Sequence, residues 1–280
     1  MTDTSPARGP RPRPEFGAFL TPSAADHAQV VAQVLAAERA GLELIGIQDH
    51  PYQRRFLDAF TLIADLLART ERLRMFPDVA NLPLRGPVMI AKAAASLDVM
   101  SGGRFELGLG AGAFWDAVAG MGGPRRAAGE SIDALIEAVR IVRAALDGER
   151  VVRGDGPHYP VPGYPPGPPP AHRVGIWIGA YRPRGLELIG RLADGWVPSL
   201  AYTDPKRLRE AGARIDEAAA AAGRDPRSIR RILNVSGTIT DGPLGDGPLV
   251  GPVDLWVDRL TEWTLELGLD ATPQPVRKQA

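Results

Sequence analysis

The chain contains no cysteine, which excludes disulfides, thiolate metal sites and a cysteine nucleophile. It has no run of about 18 apolar residues, and its N-terminus lacks the apolar stretch of a secretory signal. The expectation is therefore a cytoplasmic protein with no membrane partner. A charge excess is also missing: 33 basic and 33 acidic side chains give a formal net charge of zero. Nucleic-acid surfaces need a basic excess, so none is expected. The four histidines, His27, His50, His158 and His172, lack metal-ligand spacing, and no metal is expected. Neither a Gly-x-Ser-x-Gly elbow nor a Walker sequence occurs.

What the chain does have is an alternation of short apolar runs and helical stripes over 280 residues. Strands are expected at residues 16–20, 44–48, 73–81, 105–109, 175–179, 195–197 and 229–239. Helices are expected at 26–40, 57–69, 87–100, 131–146, 183–192, 204–222 and 253–267. Strands alternating with helices imply a parallel sheet. An α/β barrel takes roughly 250 residues as one domain, so this pattern favours a (β/α)8 TIM barrel over an open doubly wound sheet. Residues 1–14 read as a disordered lead, 15–270 as the barrel domain and 271–280 as a polar tail. Residues 154–170 carry eight prolines in seventeen positions and form a surface excursion, with room for a small hairpin.

A barrel gathers its active site at the C-terminal ends of its strands, and four stretches there carry unusual residues. Asp49-His50 follows the second strand, where the histidine is either a general acid/base or a hydrogen-bonded loop-start residue. Pro77-Asp78 interrupts the third strand as a bulge or an irregular end. Gly110, Ala111 and Gly112 end the fourth strand before Phe114 and Trp115, an apolar pocket for a planar ring or a set of loop anchors. Gly179-Ala180-Tyr181-Arg182 precedes Pro183, reading as a phosphate cradle at a helix N-terminus or an ordinary tight turn.

These stretches occur in a longer order. Ala40-Gly41-Leu42-Glu43 leads into Gln48-Asp49-His50, and Leu82-Pro83-Leu84-Arg85-Gly86-Pro87 leads into Ala91-Lys92-Ala93-Ala94-Ala95-Ser96-Leu97-Asp98. Ser101-Gly102-Gly103-Arg104, Ile176-Trp177-Ile178-Gly179-Ala180 and Leu192-Ala193-Asp194-Gly195-Trp196 follow. In this order the chain resembles the bacterial luciferase-like monooxygenase family, which includes flavin-dependent monooxygenases and the deazaflavin (coenzyme F-420) dehydrogenases and reductases. The resemblance implies a (β/α)8 barrel with the flavin at the C-terminal rim, and often a homodimer. It implies His50 as the histidine beside the reactive ring face, with Asp49 next to it. Pro77 and Asp78 fall where a cis-peptide bulge supports the ring, and Gly110, Ala111 and Gly112 where backbone approaches it. Gly179, Ala180, Tyr181 and Arg182 match the phosphate-binding turn.

Three departures qualify the match. Pro77 replaces a small residue. Ala113 stands where the F-420 sugar dehydrogenases place a glutamate acid. The segment after Asp270 is polar and twice broken by proline, so the last strand is expected to be degraded and the last helix absent, leaving an open barrel. The favoured expectation is a monooxygenase using reduced FMN and oxygen on a small organic substrate, served by a separate flavin reductase. The alternatives are a coenzyme F-420-dependent dehydrogenase or reductase, a non-catalytic degenerate flavin-binding homologue, and a generic barrel enzyme for a phosphorylated metabolite.

Overall fold

The computed structural model describes residues 13–241 and 245–275. Residues 1–12 of the expected lead (1–14) and 276–280 of the expected tail (271–280) lie outside the described residues. Eight parallel barrel strands run in chain order: β1 (Glu15–Leu20), β2 (Leu44–Ile47), β3 (Arg74–Pro77 continued by Ala80–Asn81), β4 (Leu107–Gly110), β5 (Ile176–Gly179), β6 (Gly195–Trp196), β7 (Arg230–Arg231) and β8 (Ala271–Pro275). Helices follow the first seven: α1 (His27–Arg39), α2 (Ala59–Ala68), α3 (Pro87–Ser101), α4 (Ala128–Leu146), α5 (Pro183–Leu192), α6 (Pro205–Ala221) and α7 (Val253–Leu267). The apolar spacing explains their placement: α1 buries Val30, Val34 and Ala37 on one face. Helix α2 starts two residues later than expected because the Asp58 side chain accepts from Thr61 N and caps it there.

The ring is closed, which corrects the expectation of an open barrel with a degraded last strand. β8 pairs along β1 from Glu15↔Ala271 to Phe19↔Pro275, and a bridge at Ile232↔Ala271 joins it to the end of β7. On the other side, Met75↔Phe105 joins β3 to the start of β4. Residues 271–275 therefore belong to the barrel and not to a polar tail. Parity explains why two prolines are tolerated. Asp270 O accepts from Glu15 N in β1, whereas Ala271 O and Pro273 O accept from Leu233 N and Val235 N. Within β8 the odd-numbered residues thus face the segment after β7 and the even-numbered ones face β1, whereas Asp270, just before the strand, sends its N–H to Arg231 O. Pro273 and Pro275 both remove N–H groups from the second side, and the β1 ladder stays intact.

The seventh strand is shorter than the expected 229–239. After β7 the chain continues to Thr238–Ile239, which pairs with Val250–Gly251 in a separate two-stranded ladder. The excursion forms the expected hairpin, Val152–Gly154 against Val161–Tyr164. Two short helices escaped the periodicity, Leu82–Arg85 and Trp115–Gly120, each too short for a repeating apolar stripe.

Inside the ring, Phe76 from β3 and Trp177 from β5 are buried with ring centroids 4.9 Å apart. They fill the barrel, so ligands are confined to its ends. Backbone closeness beside them is extreme at Gly108, where an added Cβ would lie 2.1 Å from Pro77 O. The end where the strands begin is stitched by charge. Glu15 pairs with Arg74 and Arg230, and Arg74 also pairs with Glu106. His172 Nδ1 lies 2.7 Å from Asp98 Oδ1, and its Nε2 3.6 Å from Glu106 Oε1. Glu106 and, with it, Asp98 raise the His172 pKa above its usual 6.5, against the opposing effect of burial.

Two expectations follow. A raised folded-state pKa means that His172 contributes stability fully below pH 6.5 and loses it as pH rises through that raised value. Urea titrations of His172→Gln should show a shallower fall of stability across that window than the unmodified chain; parallel profiles would refute it. Gly108→Ala should cost about 1–3 kcal/mol, because the opposing atom is backbone and cannot rotate away. An unchanged denaturation midpoint would contradict the strand register.

Candidate active site

At the end of the barrel where the strands finish lies a cavity of about 1020 Å3. Its wall takes residues from the ends of β1 to β7, the rim on which this fold class builds its sites. Of the residues singled out in the sequence, His50, Asp49, Asp78, Gly110, Ala111, Gly112, Gly179 and Tyr181 line it, joined by Tyr52 and Phe114. Pro77, Ala180 and Arg182 do not. Pro77 is buried inside β3 beneath the wall. The Ala180 carbonyl accepts from Trp196 Nε1 at 2.9 Å, which uses both groups in packing. Arg182 is exposed at the cap of α5, next to the wall residue Tyr181, and has no ion-pair partner among the described residues.

His50 is half-buried. Its Nδ1 lies 2.7 Å from Tyr52 Oη. Burial lowers its pKa below the usual 6.5, opposed by the neighbouring Asp49 charge, so the imidazole is neutral at pH 7. Phe114 packs edge-on against His50 at 5.8 Å and also contacts Tyr52 at 5.9 Å. Phe114 is the one non-glycine residue with positive φ (54°) among the described residues. It is held there although 62% exposed, a backbone cost of the kind that clusters at functional sites.

Asp49 is turned into the protein. Arg85 grips its carboxylate with Nε at 2.7 Å and Nη2 at 2.6 Å, and Asn81 N donates to Oδ2 at 2.8 Å. Arg85 also pairs with Asp58, the cap of α2, at 2.6 Å. One guanidinium thus ties the His50 loop to the start of α2, a bidentate arrangement that lysine does not reproduce. Sequence reasoning quoted Arg85 in a motif without giving it a role; an arginine two residues before a helix-opening proline gives no cue to its distant partners.

A cis peptide bond joins Asp78 and Val79 and turns both onto the cavity wall. Asp78 Oδ2 is buried without a hydrogen-bond partner, and so is Asn234 Oδ1. Burial pushes the Asp78 carboxyl up to about 7, with the Asn234 amide opposing the rise. Burial also pushes the Tyr181 phenol up to about 12, opposed by Ser199 N, which donates to Tyr181 Oη at 2.7 Å. Asn234 and Ser199 were missed in the sequence because they follow two-residue strands with no periodic signal. Val79 lies beside Gly110 and Gly179. A Cβ on Gly110 would come 2.7 Å from Val79 Cγ2, whereas one on Gly179 would meet nothing nearer than 3.5 Å. The protein's own packing does not demand glycine at 179; the missing side chain leaves space at the wall.

Comparison with known proteins agrees with this architecture. A family model described as luciferase-like monooxygenase matches residues 13–243. The chain is 29% identical over 269 residues to the F420-dependent hydroxymycolic acid dehydrogenase of Mycobacterium tuberculosis, covering 89% of this chain and 69% of that protein. It spans 62% of the length of an uncharacterized protein of the same species, with 32% identity over 187 residues that are 67% of this chain. In structure it resembles the coenzyme F420 dependent tetrahydromethanopterin reductase from Methanopyrus kandleri (TM-score 0.81, 18% identity, 95% of both chains). It also resembles a monooxygenase from Streptomyces bottropensis (TM-score 0.77, 19% identity, 94% of this chain and 92% of that one). With the matched residues running from before β1 to beyond β7, the chain belongs to the luciferase-like monooxygenase family.

Proposed function

We propose that the protein is an oxidoreductase that transfers hydride between a small organic substrate and a deazaflavin of the coenzyme F-420 type. The observation that carries this reading is the neutral His50, whose Nε2 has no protein partner among the described residues and stands on the wall of the cavity. The name of a relative covering 89% of the chain supports the same cofactor. The site fits a flat tricyclic ring. Val79 offers an apolar platform between Gly110 and Gly179, and the missing side chain of Gly179 leaves space above it. Gly110, Ala111, Gly112 and Gly179 would meet the ring through backbone. The exposed Arg182 and the N-terminus of α5 would meet its phosphate at the cavity mouth. Asp49 acts at one remove, by fixing the loop that carries His50.

A bound deazaflavin supplies the hydride acceptor or donor carbon. The chain's own residues handle the proton. In the oxidising direction, Nε2 of His50 takes the proton of the substrate hydroxyl as the C–H hydride departs, while Tyr52 holds Nδ1. Phe114 and Tyr52 shield that position from water. The second reading, a monooxygenase using reduced FMN from a separate reductase, is favoured by Ala113, which places no acid on the wall. The degenerate-homologue reading drew on a truncated C-terminus with a degraded last strand, and the pairing of β8 along β1 removes the strand part of that ground.

Under anaerobic conditions the purified chain should bind coenzyme F-420 more tightly than reduced FMN; the reverse order would move the reading to the monooxygenase. His50→Gln should lower kcat by about a hundredfold or more with cofactor affinity within a few fold. The acidic limb of kcat/KM should fall below pH 6.5, because the lowered pKa keeps the imidazole a base to lower pH. Unaltered kinetics in that variant would remove His50 from proton transfer. Arg182→Ala should weaken a phosphate-bearing flavin about tenfold and leave riboflavin nearly unaffected. Equal losses would place the phosphate elsewhere.

A further inference from the structure

Resting on the reading above, the cavity has two parts. The platform residues belong to the ends of β3, β4 and β5. Across the rim, β1, β2 and α1 build an arm from Thr21, Ser23, Asp26, Gln29, Gln33 and Gln48, and none of these is engaged by the proposed ring site. Gln29 and Gln33 are one turn apart on α1 and present a single amide-bearing face. Gln48 Nε2 donates to Thr21 Oγ1 at 3.1 Å, which leaves its carbonyl oxygen available as an acceptor. The volume of about 1020 Å3 lies at the upper end of what ligand pockets span, roughly 300–1,000 Å3.

Among the described residues, the wall holds no lysine or arginine. Its acidic members are Asp26, Asp49 and Asp78, Asp78 with its carboxyl pushed up to about 7. Arg85, behind the wall, is spent on Asp49 and Asp58, and Arg182 stands off the wall. Arg54 and Arg55, on the loop that meets Ser23 and Ala24, are exposed and likewise off it. We propose that the arm between α1 and the ends of β1 and β2 is the substrate subsite, and that it selects uncharged or cationic hydroxyl- or carbonyl-bearing molecules against carboxylates and phosphate esters. An anion there would lose its hydration, find no counter-charge and face Asp26. An alcohol or ketone would find amide donors and acceptors, with Leu20 and Val30 against its carbon skeleton.

Three probes share one benzylic alcohol and differ in charge: 1-phenylethanol, mandelate and 2-amino-1-phenylethanol. Binding to the full chain is measured by ligand-observed NMR, with and without coenzyme F-420 or FMN. The neutral and cationic probes should bind at least about tenfold more tightly than mandelate, a gap that one uncompensated charge readily supplies. Gln33→Arg, or Gln29→Arg if the first variant does not fold, should narrow or reverse the gap. Mandelate binding as tightly as the alcohol, binding of none of the three, or an order unmoved by both arginine variants would overturn the proposal. Because the charge order is also read without cofactor, failure to bind any flavin would sink the hydride-transfer reading separately.

Discussion

Closure of the eight-stranded ring is the constraint from which the site follows. The residues that meet at the cavity come from seven strand ends, and they hold their positions only if β1 and β7 are bridged. β8 makes that bridge with five residues, two of them proline. It can do so because the prolines are two apart, which puts both missing donors on one edge. A single proline at an even position would have cut the β1 ladder. Leu20 and Thr21 on one side, and Asn234 on the other, are placed by this short seam.

Within the closed ring, polar groups are divided between structure and site. At the end where the strands begin, Glu15, Arg74, Glu106, Arg230 and His172 satisfy one another and bind the starts of several strands together. At the other end, Arg85 consumes Asp49 and fixes the His50 loop to α2. What remains on the cavity wall without a protein partner, among the described residues, is Nε2 of His50.

Much of the scaffold was legible in the sequence. The stripe at Val30, Val34 and Ala37, Pro183 at the first position of α5, and the alternation of short apolar runs all express local rules that tertiary contacts did not override. The rim positions of His50, Asp78 and the glycines after β4 were legible for the same reason, since they follow directly from strand ends. What was hidden depends on pairing across the chain. The β8 prolines look prohibitive until the edge they face is known. The partners of Arg85 lie 36 and 27 positions away. Asn234 and Ser199 follow strands of two residues, too short to carry a period. The left-handed backbone of Phe114 belongs to a residue type that rarely adopts it.

The interior packing also decides at what depth chemistry can occur. Phe76 and Trp177 block the barrel beneath Asp78 and Val79, so a planar ring on Val79 cannot sink toward the charged network at the opposite end. In the proposed reading its polar tail leaves through the mouth, where Arg182 and the start of α5 lie. This separates charge along the axis: Arg182 stays outside, and among the described residues the wall inside carries carboxyls and neutral donors and acceptors but no lysine or arginine. A neutral imidazole is most useful in such surroundings, because an anionic neighbour would raise its pKa and burial without one lowers it. Arg85 maintains that balance by holding the Asp49 charge in an ion pair, so that burial governs His50. Replacing the guanidinium would therefore act on His50 as well as on the loop, through the release of a carboxylate one residue away.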